Sequence, residues 1–182
     1  MYSIIKIIYL FFLKQISPIK HARAIGVNIG RGCLVYRSME WPAEPYLITI
    51  GDNCALTGGT RIFTHGGSTV AREKYPDFDV FGKVVLGNRV YVGSGAMIMP
   101  GVTIGDNVLI AAGSVVTKSI PSNVVVAGNP AKYVCTLDEF IEKNIPFNTG
   151  TKFLPQKDKR AFLLAQPEEK FVKKKYIQVP QS

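Results

Sequence analysis

Cysteine, acidic side chains and long apolar runs are all scarce in this 182-residue chain, and each shortage removes a class of protein. The three cysteines, Cys33, Cys54 and Cys135, lie far apart and form neither a CxxC pair nor a disulfide framework, so a reducing compartment is the simplest setting. Thirteen Asp and Glu against 22 Lys and Arg leave a formal charge of +9, which favours an anionic partner: nucleic acid, a phosphorylated small molecule or a membrane surface. No aromatic-basic platform or groove-reading motif accompanies that charge, which argues against nucleic acid. The longest apolar run, IIYLFFL (7–13), falls short of the roughly 20 residues that cross a bilayer. The residues after it, KQISPIKHAR, offer no small-residue cleavage site, so a cleaved signal is discounted. Two readings of residues 3–16 stay open: a helix packed on the body, or an interfacial helix touching lipid and helped by Lys14, Lys20 and Arg23.

What the chain does have is a repeat. From Leu86 an aliphatic residue returns at every sixth place, through Val92, Ile98, Ile104, Ile110 and Val116, and an earlier series, Ile50, Leu56 and Ile62, keeps the same step. Small residues or Val stand four places after most of them, at 54, 60, 90, 96, 102, 108 and 114, and Gly follows directly at 51, 87, 93 and 105. Neither the helical period of 3.6 nor the strand period of 2 yields six, whereas one face of a three-sided parallel β-helix does. Each hexad is a short strand plus a corner, the aliphatic pointing inward and the small residue behind it easing the bend. Three hexads make a coil of 18 residues, and GDN at 51–53 and 105–107 suits corners because Gly and Asn tolerate positive φ. An ordinary β-sandwich alternates with period 2 and lacks this invariant step.

Two stretches interrupt the pattern. GGSTVAREKYPDFDVFGK (66–83) has no hexad character and reads as a loop thrown out from the prism, standing in for roughly a coil of sequence. Residues 36–47, with Trp41, Pro42 and Pro45, form a second irregular excursion. Beyond Pro121 the repeat fades. TLDEFIEK (136–143) predicts a short helix with Thr136 and Glu139 as a capping box, followed by a Pro- and Lys-rich tail lying on the surface. The KKK run at 173–175 reads as a solvated face that adds to attraction for anionic surfaces. The divisions expected are thus 1–24, an apolar N-terminal helix; 25–135, the β-helix; and 136–182, a helical and irregular extension.

Over about residues 25–135 the chain resembles the hexapeptide-repeat acyltransferases, and PGVTIGDNVLIAAGSVVTKSIPSNVVVAGNPAKYV (100–134) is similar to the motif with which many members end their prism. The resemblance implies an all-β, left-handed parallel β-helix, assembled as a homotrimer with active sites between subunits. It also implies acetyl-CoA as co-substrate. TRIFTHGGS (60–68) is similar to the segment that carries the family's catalytic histidine, which makes His65 the general base. That role suits imidazole, whose ordinary pKa of about 6.5 fits it to take a proton from an attacking hydroxyl at neutral pH. Relatives that act in capsule and lipopolysaccharide assembly carry an acidic residue directly after this histidine. Here Gly66 follows, leaving Glu73, Asp77, Asp79 or a backbone carbonyl to orient the ring. By the same resemblance Ser94, Ala112, Thr117, Lys118 and Lys132 line the cofactor groove, the two lysines facing the CoA phosphates. Tyr91, Asp77 and Asp79 fall at the acceptor end.

The resemblance implies an O-acetyltransferase acting on a sugar hydroxyl in surface-polysaccharide synthesis, on a saccharide, sugar-nucleotide or lipid-linked acceptor. YPDFDVFGK (75–83) is similar to the corresponding loop of such enzymes. An N-acetyltransferase acting on a nucleotide-linked amino sugar would use the same histidine, and a non-catalytic β-helix scaffold is a further alternative. The zinc carbonic anhydrases of this fold need three histidines per site. This chain has two, one of them outside the repeats, so no metal is expected. His21 reads as an ordinary surface histidine. The expected location is cytoplasmic, with peripheral contact at the membrane face.

Overall fold

The computed structural model describes residues 4–178. The chain through Leu137 forms one compact unit, and the chain from Asp138 onward a second.

In the first unit the hexads become strands of two to four residues: β1 (Asn28–Ile29), β2 (Leu34–Val35), β3 (Ile48–Ile50), β4 (Ala55–Leu56), β5 (Arg61–Ile62), β6 (Val84–Leu86), β7 (Tyr91–Val92), β8 (Met97–Ile98), β9 (Thr103–Ile104), β10 (Leu109–Ile110), β11 (Val115–Val116) and β12 (Val124–Ala127). They stack in parallel as three sheets, β1-β3-β6-β9, β2-β4-β7-β10-β12 and β5-β8-β11, the faces of a prism. A further strand, β13 (Lys132–Thr136), closes the second face antiparallel to β12. Side chains alternate along a strand, so the last residue of each short strand points inward. Leu56, Val92, Ile98 and Ile110 are fully buried, and the four-places-on slots at 54, 60, 90, 96, 102, 108 and 114 are buried with them. The series also runs further upstream than its spacing suggested: Ile29 and Val35 are buried, and Trp41 packs on the core.

Leu86 pairs with Ile104, eighteen residues on, whereas Ile50 pairs with Leu86, thirty-six residues on. The surplus is the 66–83 segment. It therefore replaces no coil, contrary to the expectation from sequence, and is an insertion at one corner while the strands continue across it. Its base is pinched shut: the Gly82 N–H donates to the Thr64 carbonyl at 2.7 Å, and His65 and Phe81 form an antiparallel bridge.

The corners work differently from the expected bend behind each aliphatic. At Gly51 the backbone φ is not positive. Instead a Cβ there would fall 2.6 Å from the Gly87 carbonyl oxygen of the next coil, so glycine is needed for the close stacking of coils. The positive φ comes two residues later, at Asn53 (57°), and again at Asn107 (56°), residue types that accept it. A side-chain ladder climbs this corner. Asp52 Oδ1 accepts from the Arg31 N–H at 2.7 Å, Asn88 Oδ1 from the Asp52 N–H at 2.9 Å, Asp106 Oδ1 from the Asn88 N–H at 2.6 Å, and Ser122 Oγ from the Asp106 N–H at 2.9 Å. Each rung satisfies a backbone donor that the turn would otherwise leave without a partner.

Ahead of the prism the expected single helix is two, α1 (Ile4–Ile16) and α2 (Pro18–Ala24), parted where Pro18 cannot continue the hydrogen-bonding of α1 and instead starts α2. Ser3, the first residue of the expected helix, lies outside the described residues. α2 seats Ala22 in the core, whereas α1 buries no residue. In the C-terminal part, α3 (Leu137–Asn144) begins directly after Thr136, as its capping-box spacing indicates. A further helix, α4 (Gln156–Leu164), occupies what the sequence suggested was irregular tail. Its apolar residues cluster in AFLL at one end and give no helical period to read.

Candidate functional site

His65 stands three places past the inward Ile62, at the corner between the third and first faces where the long insertion leaves the prism. Its Nδ1 lies 2.7 Å from Glu44 Oε2. The same carboxylate oxygen accepts from the Thr64 hydroxyl at 2.9 Å. The contact fixes the tautomer, because a carboxylate only accepts: Nδ1 carries the proton and donates it. Nε2 is left with no hydrogen-bond partner among the described residues, on a side chain 40% exposed. The Phe81 ring, centroid 5.5 Å from that of His65, supports the imidazole from the far strand of the loop base. A buried-side carboxylate on one nitrogen and an open lone pair on the other is the arrangement of a general base held in orientation.

Glu44 was not among the residues considered from sequence for this task, and the structure corrects that set. Glu73 and Asp77 are exposed in the loop, and Asp79 is engaged elsewhere, accepting from Ser68 Oγ at 3.0 Å with Arg72 at 3.9 Å. The signal for Glu44 lies in the first coil. Asn28 pairs with Thr49, Leu34 with Ala55 and Glu40 with Arg61, each twenty-one residues on, because the 42–47 excursion adds three residues to a coil of 18. The same offset carries Glu44 onto His65. The excursion is held by Trp41 against the core and by the Arg61–Glu40 ion pair at 2.9 Å.

Two depressions flank the imidazole. One, of about 150 Å³, is lined by Trp41, Pro42, Arg61, Phe63 and His65 among others. The second, of about 290 Å³, is bounded by Glu44, Ser68, Arg72, Asp79 and Phe81 together with His65. Of the residues assigned to the acceptor end, the structure brings only Asp79 into a cavity with His65. Asp77 is exposed elsewhere in the loop, and Tyr91 is 46% exposed on the second face, away from both depressions.

The residues assigned to the cofactor groove fall at two corners. Ile62, Ile98 and Val116 are in register, so Thr117 and Lys118 share the corner of His65, two coils away. Ser94 and Ala112 occupy the neighbouring corner, across the width of the third face, and Ser94 Oγ donates to Thr57 Oγ1 at 3.2 Å. That second corner holds Gly93, Ser94 and Gly95 above Ala111, Ala112 and Gly113, and a Cβ on Gly95 or Gly113 would meet nothing within 4 Å. It is an open strip along which an extended ligand arm can lie. Lys132 opens β13, just after Ala131, whose N–H donates to the Val115 carbonyl at 2.8 Å, and so lies by the last rung of the third face. Lys118 and Lys132 are both exposed.

His21 is not the ordinary surface residue expected from its position. It is half-buried against a cavity of about 350 Å³ lined also by Leu10, Lys14, Trp41 and Tyr46, and its Nδ1 is shut off from solvent without a hydrogen-bond partner among the described residues. Burial, and then the nearby Lys14 charge, lower its pKa from the usual 6.5. Cys33 and Cys54 belong to the core, and burial pushes the Cys54 thiol up to about 11, so it takes no part in chemistry at neutral pH.

Known proteins resemble this chain in sequence and in fold. Residues 83–118 match the family described as bacterial transferase hexapeptide (six repeats). Protein CapG of Staphylococcus aureus is 38% identical over 167 residues, covering 90% of this chain and 97% of CapG. Galactoside O-acetyltransferase of Escherichia coli (strain K12) is 34% identical over 123 residues, 67% of this chain and 60% of that protein. A hexapeptide-repeat acetyltransferase from Vibrio cholerae, solved in complex with acetyl coenzyme A, aligns with a TM-score of 0.57 at 28% identity, covering 62% of this chain and 61% of its own. A galactoside acetyltransferase in complex with coenzyme A also gives 0.57 at 28% identity, over 74% and 80% of the two chains.

Proposed function

Because the chain belongs to the hexapeptide-repeat family of bacterial transferases, we propose that it is an acetyl-CoA-dependent O-acetyltransferase that acts on a sugar hydroxyl during surface-polysaccharide synthesis. The observation that carries this reading is the Glu44–His65 pair, with Nε2 open between two depressions at the corner that Lys118 and Thr117 also occupy. Sugar acceptors are supported by the relatives named for galactosides.

The acceptor hydroxyl donates to His65 Nε2. As its oxygen attacks the thioester carbonyl carbon of acetyl-CoA, the proton passes to Nε2 and the imidazolium is stabilised by the Glu44 carboxylate. The tetrahedral adduct collapses by breaking the carbon–sulfur bond, and the departing CoA thiolate takes the proton back from Nε2. The products are the acetyl ester and free CoA thiol, and no covalent acyl-enzyme is formed. The strip at 93–95 and 111–113 is narrow enough in side chains for the pantetheine arm, while Lys118 and Lys132 offer cations to the phosphates.

A homotrimer wound left-handed, as in the family, supplies what one chain lacks. Ser94 and Ala112 sit on the opposite edge of the third face from His65, Thr117 and Lys118, so a groove holding both sets around one donor is completed by a neighbouring copy. The free thiols of Cys33, Cys54 and Cys135 suit the cytoplasm, where acetyl-CoA is available. No described helix is long and apolar enough to cross a membrane.

The test is a panel of saccharides, galactosides included, incubated with acetyl-CoA and read by mass spectrometry. The expected result is a single acetyl group on a hydroxyl of at least one saccharide, lost with His65→Ala. Acetylation confined to amino sugars would replace this reading with N-acetyl transfer.

A further inference from the structure

The structure points to a membrane-docking surface: we propose that α1 lies in the interface of an anionic bilayer, its apolar side in the headgroup–acyl boundary. At 100° per residue the helix divides unequally. Leu10, Leu13 and Lys14 lie on the side turned to the protein and are half-buried. Ile4, Ile5, Ile7, Ile8, Tyr9, Phe11, Phe12 and Ile16 spread over the remaining arc of about 200° and are each 51–81% exposed. A helix that packs against protein needs an apolar stripe only ~100° wide, so most of this surface has no protein partner among the described residues.

Two features select lipid over a second copy of the chain. Residues 1–39 contain six Lys and Arg and no Asp or Glu, so a second copy would bring like charge against like, whereas anionic headgroups complement it. The 13-residue helix is also about 20 Å long, too short to span a bilayer but suited to lying along one, with Tyr9, Phe11 and Phe12 at the depth where aromatic rings concentrate. The helix adjoins the catalytic corner. Leu10 and Lys14 face Trp41 and Pro42 across the 350 Å³ cavity, and those two residues line the depression beside His65 on their other side. A docked α1 therefore holds His65 near the bilayer surface, where a lipid-anchored saccharide would be presented. That consequence rests on the proposed transferase activity; the docking itself does not.

The experiment is co-sedimentation of the full chain with vesicles of phosphatidylcholine alone and of phosphatidylcholine enriched in phosphatidylglycerol. Wild type is expected to sediment with the anionic vesicles ~10-fold more than with neutral ones, and to be released as salt rises. Ile8→Asp/Phe12→Asp should lose that binding while its far-ultraviolet circular dichroism is unchanged. The salt titration on wild type keeps the test decisive should the double variant misfold. Wild type remaining in the supernatant with both vesicles would overturn the proposal. So would a double variant that binds vesicles normally but loses mass by light scattering, which would assign α1 to a second copy.

Discussion

Glu44 and His65 meet because the first coil is three residues longer than the 18-residue repeat, and that small surplus aims a carboxylate at Nδ1 while Nε2 keeps no hydrogen-bond partner among the described residues. The other histidine has the opposite character. His21 is held with a buried, unpartnered nitrogen near Lys14, and its pKa is lowered. The unfolded chain then binds a proton near pH 6.5 that the folded chain refuses, so folding stability falls as pH drops through that value and levels off below the folded pKa. Equilibrium unfolding between pH 7.5 and 5 should show a shallower acid limb for His21→Asn than for wild type, by up to ~1.4 kcal/mol per pH unit where the two states differ fully. Parallel limbs would mean that His21 titrates alike in both states. His65 stands out in the sequence because TRIFTHGGS is similar to the family's histidine segment and the repeat breaks beside it. Glu44 does not, since an 18-residue coil would have placed residue 47 against it, and only the registers of β1 and β2 reveal the twenty-one-residue step.

Among the elements, the prism was legible because packing at every sixth place leaves no freedom: the inward slot must be apolar and the slot four places later must be small or β-branched. The helices were less so. α1 has the apolar content of a helix but most of its apolar surface meets no described residue, and α4 has no periodic face. The glycines behind the aliphatics were noticed for the wrong reason, since coil stacking and not the bend demands them. Gly51→Ala should therefore be costly although its backbone conformation suits alanine. The added methyl would meet the Gly87 carbonyl oxygen at 2.6 Å and Asn88 Oδ1 at 2.7 Å, both part of the next coil. We expect a loss of about 1–3 kcal/mol, a fall in Tm of roughly 2–10 °C by calorimetry. An unchanged Tm would contradict the account of the corners.

At the scale of the whole molecule, each region of the first unit contributes to a different side of one task. The prism carries an open strip and two exposed lysines, the inserted loop and the excursion flank the imidazole, and the N-terminal helix adds an apolar, positively flanked surface. The +9 charge, which composition alone left divided among several partners, would on the proposed reading serve both CoA phosphates and anionic lipid. Because Ser94 and Ala112 stand across a face from His65, activity should require the assembled oligomer. Light scattering of the active protein should give the mass of three chains, and a fully active monomer would contradict the shared groove.

Acceptor-dependent release of CoA thiol by wild type, His65→Ala and Glu44→Gln decides whether His65 Nε2 is the base and Glu44 its orienting partner. The expected result is a loss of about 10²–10⁴-fold in kcat for His65→Ala. For Glu44→Gln the fall in kcat should be roughly 10²-fold with the KM for acetyl-CoA little changed, because the carboxylate acts only through the imidazole. Turnover in His65→Ala equal to wild type would move the base elsewhere. Full activity in Glu44→Gln would show that the 2.7 Å contact does not orient the ring.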